Sequence, residues 1–137
     1  MSGIKDPSTE KGKNFQARKD DTEAPNDNLT PVFCFQHLQK KYCISKCQKN
    51  EKAALADRLK LIGQNTWGAL RNAPRHGLGY EIIKRSKITA SIPDVVTQDT
   101  KIIAFRFCAL APVVGFRNNR IFHVLWLDRA FTLYDHG

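Results

Sequence analysis

Residues 112 to 127, PVVGFRNNRIFHVLWL, constrain the fold more than any other stretch of the chain. Two runs rich in β-branched and aromatic residues flank Arg117-Asn118-Asn119-Arg120. Asparagine tolerates positive φ, so Asn118-Asn119 predicts a two-residue hairpin turn. This register sets Arg117 across from Arg120, on the face shared by Gly115 and Phe122. Like charges set opposite one another weaken a ladder. The pair is tolerable in solvent and useful if a phosphate sits between the two. His123 falls on the other face with Phe116, Ile121 and Leu125, and these apolar neighbours make it a core histidine.

Upstream, KIIAFRFCAL alternates Ile103, Phe105 and Phe107 against Ile102, Ala104, Arg106 and Cys108, which predicts another strand of the same sheet. Downstream, Asp128 and Arg129 predict a turn that returns FTLY as a last short strand. Alternation along it puts Leu133 inside and brings Tyr134 and His136 together on the opposite face. Two readings of that tail are open. Tyr134 plugs the end of the sheet beside a solvated His136, or the two form an acid–base pair at the rim of a site.

The preceding half supplies helices. Val32 to Leu38 predicts a strand. KNEKAALADRLKLIGQ spaces Leu55, Leu59 and Ile62 at i, i+4 and i+7, the stripe of an amphipathic helix. Asn50 is the expected N-cap and Gly63 the expected stop. A shorter helix starts at Asn65 or Thr66, carries Trp67 and Leu70, and ends before Pro74. KRSKITASIPDVVTQDT reads as irregular chain or at most a short edge segment. The order is strand, two helices, then three or four antiparallel strands. It predicts an α+β fold: an antiparallel sheet of four to five strands with two helices packed on one face.

Residues 1–29 contain one Phe and few other groups to bury. They cannot offset their ordering entropy by burial, which predicts a disordered tail and a single α+β domain over 30–137. The tail carries five Lys and Arg against six Asp and Glu, and the remainder seventeen against seven, so the domain bears a formal +10 within a chain of +9. A compact domain of that charge attracts polyanions. RNA or DNA leads, an acidic protein comes second and a membrane surface third. With no apolar leader and no run of bilayer length, a cytoplasmic protein with no membrane partner is expected.

CFQHLQKKYCISKC sets Cys34, His37, Cys43 and Cys47 at a spacing close to that of a zinc knuckle. A strand over Val32 to Leu38 would put Cys34 and His37 on opposite faces. Free buried thiols, in a reducing compartment and without cofactor, are therefore the expectation.

PRHGLGYE, AFRF and PVVGFRNNRIFHVLWLDRAFTLYDHG resemble a family of small bacterial proteins to which no activity is attached. The element order resembles the RelE/ParE toxin superfamily, which also sets two helices before a β-rich half. That resemblance implies messenger RNA cleavage on the ribosome, or action on gyrase, and a small acidic antitoxin as partner. Basic residues on central strands and a C-terminal His-Tyr pair are similar here in Tyr134 and His136. The chain departs from the pattern in Asp135, in Gly137 and in its long irregular connection.

Metal-free RNA cleavage needs a base for the 2′-hydroxyl, an acid for the leaving oxygen and cations for the phosphate. Histidine titrates near neutrality, and arginine offers a permanent planar fork. His136, Tyr134, His76 and Arg106 are the catalytic candidates, and Arg75, Arg117, Arg120, Lys84, Arg85 and Lys87 the nucleic-acid-binding ones. In PRHGLGYE, Arg75 and His76 sit on a loop whose amides can meet a phosphate. The same residues also read as a plain turn, in which Pro74 stops a helix and Gly77 supplies a left-handed residue. The functions that follow are an RNA-directed protein with a ribonuclease activity, a non-catalytic basic module for nucleic acid or acidic protein, or a toxin that blocks a protein target.

Overall fold

The computed structural model describes residues 26–135. The elements are β1 (Val32–Cys34), α1 (Lys49–Gly63), α2 (Trp67–Asn72), β2 (Glu81–Ile83), β3 (Ile102–Cys108), β4 (Ala111–Asn118) and β5 (Ile121–Leu127). Short 3-10 turns fill the connections at Lys40–Tyr42, Ile44–Lys46 and Arg85–Lys87. One five-stranded sheet runs in the order β1-β5-β4-β3-β2. It is antiparallel except at one edge, where β1 lies parallel to β5 through Val32↔Ile121, Phe33↔Phe122 and Cys34↔His123. This is the expected α+β class, with one parallel pair added.

The helices cover one face. Leu55 and Ile62 of α1, with Trp67 and Leu70 of α2, pack on Ile103, Phe105, Val113, Phe122 and Val124, and Leu59 lies against the same cluster. The cap of α1 is Gln48 rather than Asn50. Glu51 decides this: its carboxylate accepts the Gln48 amide at 2.6 Å and neutralises a donor the first turn would leave unpaired. Thr66 caps α2 by accepting the Ala69 amide at 3.1 Å.

The other face is covered without a helix. Ile88, Ala90, Ile92 and Val96 of the irregular connection, with Leu133 and Tyr134, close over Ile102, Val114, Phe116, Leu125 and Trp126. FTLY is not a strand. The Asp128 side chain is fully buried and accepts the amides of Thr132 at 2.8 Å and Leu133 at 3.0 Å, which curls the segment back onto the sheet. Thr89 anchors it by donating its amide to the Leu133 carbonyl at 2.8 Å. Leu133 is inside, as alternation requires, but Tyr134 is buried beside it at 4 % exposure, because a curled segment has no alternating faces. Burying Leu133 contributes about 2 kcal/mol to holding the segment down.

The central hairpin forms with its turn moved on by one residue. Asn118 pairs with Ile121 and Arg117 with Phe122, so the loop is Asn119-Arg120, with Asn119 at φ 57°. Arg117 does not face Arg120. The facing residues keep their sides, since the pairing shifts by two positions in register. His123 therefore stacks on Phe116, centroids 4.6 Å apart. Alternation breaks further on, at a bulge opposite Val114 and Gly115. Leu125 and Trp126 then both join the second cluster. Gly115 is required there, because a Cβ would overlap the His123 carbonyl oxygen.

The fold begins earlier than residue 30. Asp27 bonds Arg117 at 2.8 Å and also pairs with Arg71, and the Trp67 amide donates to the Leu29 carbonyl at 2.9 Å. Residues 1–25 of the expected tail lie outside the described residues. No helix of the described residues is long and apolar enough to cross a membrane.

Candidate functional site

β2 brings a carboxylate, Glu81, to the edge of the sheet, opposite Ala104 of β3. Two residues on from Ala104, Arg106 points its side chain to the same face. The guanidinium of Arg106 lies 3.6 Å from Glu81 Oε2, and that of Arg75 is bonded to Oε1 at 2.6 Å. The buried segment after β5 adds Tyr134, whose hydroxyl is 3.5 Å from Oε2. These groups line a cavity of about 450 Å³, together with His76, Lys84, Lys87 and Asp135. Four permanent cations and two carboxylates leave its walls at a formal +2.

Each group is positioned by local chain chemistry. Pro74 ends the run after α2, and its carbonyl accepts the amides of Gly77 at 3.0 Å and Gly79 at 2.9 Å. That turn holds Arg75 and His76 out toward Glu81. Gly77 is not left-handed, since no glycine among the described residues has positive φ. The glycine this loop needs is Gly79, where a Cβ would overlap the Ala73 carbonyl. Arg106 also donates to the Leu110 carbonyl at 3.2 Å, which ties it to the β3–β4 turn. Burial pushes the Tyr134 phenol above its ordinary 10.0, against a smaller opposite pull from Arg106, so it is neutral and donating at neutral pH.

Six expected site residues thus meet in one cavity: Tyr134, His76, Arg106, Arg75, Lys84 and Lys87. Three do not. Arg85 turns away and donates to the Thr97 carbonyl at 2.9 Å. Arg120 donates to the carbonyl and hydroxyl of Thr30, both at 3.0 Å, and so secures the approach to β1. Arg117 lies over the Trp67 ring, 4.4 Å from its centroid, while bonding Asp27. Their expected exposure at a hairpin tip is overturned by the packing of residues 26–30 against that tip. His136 lies outside the described residues.

Glu81 is the residue that sequence reasoning missed. The signal was a lone acidic group in a basic stretch, Arg75 through Lys87, at the start of a short apolar run.

The second motif, Cys34 to Cys47, is not assembled as a metal centre. β1 stops at Cys34, so His37 sits in a turn with its ring 6.0 Å from His123, not on a strand face opposite Cys34. All four cysteines are free thiols, and no three metal-ligating side chains converge among the described residues. Burial, and then His37, push the His123 imidazole below its ordinary 6.5.

No protein-family model, no curated protein and no solved structure matches this chain.

Proposed function

We propose that this protein is a metal-free endoribonuclease acting at the Glu81 pocket. The observation that carries the reading is the meeting of one carboxylate with Arg106, Tyr134 and His76 in a cavity of positive walls. Glu81 removes the proton of the ribose 2′-hydroxyl. The 2′-oxygen attacks phosphorus, the bond to the 5′-oxygen breaks, and His76 protonates that leaving oxygen. The products are a 2′,3′-cyclic phosphate and a 5′-hydroxyl. Arg106, Lys84 and Lys87 hold the phosphate oxygens and stabilise the charge gathered in the transition state. Tyr134 orients Glu81 through its neutral hydroxyl. A phosphate entering between Glu81 and Arg106 competes for that guanidinium, while Arg75 keeps the carboxylate in place. RNA, free or on a ribosome, is the partner, and a reducing cytoplasm suits four free thiols.

Incubation with single-stranded RNA in the presence of a chelator tests the reading. Fragments with cyclic phosphate ends, absent with Glu81→Gln, are expected. An intact RNA pool with the wild-type chain overturns the nuclease. The cations alone support the second reading, a binding module: RNA held without cleavage, with an affinity that falls steeply with salt as counterions are released.

A further inference from the structure

Seven large apolar side chains are exposed among the described residues, and three of them stand at the mouth of the Glu81 pocket: Ile82 at 57 %, Leu110 at 57 % and Phe131 at 45 %. Left-handed backbone gathers there too. Only three non-glycine residues among those described have positive φ. One is Asn119, a residue type suited to it. The others are Phe131 itself, at 58°, and Ala109, at 51°, which immediately precedes Leu110. Neither alanine nor phenylalanine adopts this region readily, so the surroundings must impose it. Around Phe131 the cause is Asp128. Its buried carboxylate takes the amides of Thr132 and Leu133, and its carbonyl takes the Phe131 amide at 3.3 Å. These bonds fix the loop that carries the ring, which stands 45 % exposed. Leu110 is coupled to the charged floor, since its carbonyl accepts from Arg106 at 3.2 Å.

An aromatic face fixed beside clustered phosphate-binding cations is the chemistry that holds a nucleotide unit: the ring takes the base and the cations take the phosphate. Resting on the RNA reading above, we infer that Phe131, with Leu110 on the same rim, is the platform on which one unpaired nucleobase stacks while the adjoining phosphate sits at Arg106. The ligand class is therefore single-stranded RNA. In a duplex the base faces are already stacked on their neighbours and present nothing to the ring.

The test is fluorescence anisotropy with a short labelled single strand whose 2′-hydroxyls are methylated, so that it cannot be cut. The same strand with abasic positions and its blunt duplex serve as comparisons. The wild-type chain binds the base-bearing strand about tenfold tighter than either. Phe131→Ala weakens that binding about five- to a hundredfold and leaves the abasic affinity unchanged, and Phe131→Trp restores it. Phe131→Gly relieves the left-handed backbone, so its unfolding temperature rises while its affinity falls, which separates a lost platform from a lost fold. Equal wild-type affinity for abasic and base-bearing strands, or a Phe131→Ala chain that keeps the preference, overturns the platform. The RNA reading survives that result if the wild-type chain still cuts RNA and Glu81→Gln does not. A wild-type chain that neither binds nor cuts RNA overturns both.

Discussion

Asp27 and Glu81 form the same motif, one carboxylate between two arginines, near opposite ends of β4. At Asp27 the pair is closed. Arg117 bonds it at 2.8 Å, lies over Trp67, and also donates to the Asn119 carbonyl. Arg117 is the leading cause of an Asp27 pKa below the ordinary 3.8. At Glu81 one arginine, Arg75, is bonded as closely, at 2.6 Å, and the second is not. Arg106 stands 3.6 Å away and the Tyr134 hydroxyl 3.5 Å, beside an open cavity. An arginine stacked on an aromatic face and bonded at 2.8 Å to its carboxylate is committed to the fold. An arginine at the edge of ion-pair range remains available to an incoming anion. The charges alone do not distinguish these cases; what packs behind them does.

The largest expected effect tests the open end. If Glu81 is the general base proposed above, Glu81→Gln lowers the rate of RNA cleavage by roughly a hundredfold or more. Asp27→Asn leaves the rate per folded molecule within about twofold, because it touches no reacting group. Cleavage assays on both chains break the comparison if Asp27→Asn is equally inactive.

Next comes the closed end. Arg117→Ala costs about 2 kcal/mol of stability by thermal or denaturant unfolding, because it removes the cation over Trp67 and one of the two that pair with Asp27. Arg75→Ala, with a side chain 57 % exposed, costs less than about 0.5 kcal/mol. Equal losses would remove the distinction between committed and available arginines.

The smallest effect is in acid. The folded pKa of Asp27 is depressed, so its stabilising contribution is whole above the unfolded value near 3.8 and is lost as pH falls through the lower folded value. The unfolding temperature of the wild-type chain therefore falls more steeply below about pH 4 than that of Asp27→Asn. Parallel curves would show that this pair contributes nothing.

Local pattern revealed what local physics builds. The stripe Leu55-Leu59-Ile62 specified α1, and the apolar runs about Asn119 specified the hairpin, because both follow from neighbours in sequence. Cysteine-bearing β1 was overextended because its parallel partner is the remote β5, whose pairing ends at Cys34. Arg117 and Arg120 looked available because residues 26–30, which occupy them, carry little hydrophobic signal. Six pocket residues were nameable by type, but Glu81 was not. Its role depends on Arg106, twenty-five residues on, and Tyr134, fifty-three residues on, and on a loop whose shape comes from a buried Asp128.

The parallel pairing of β1 with β5 also sets a clock. Val32 meets Ile121, eighty-nine residues later. At ordinary elongation rates a ribosome takes roughly 4 to 20 s to make that span. Throughout it, β1 has no neighbour and Glu81 has no Tyr134. Such distant closure makes folding slow and late. A nascent chain therefore holds no complete Glu81 pocket until Tyr134 has been made.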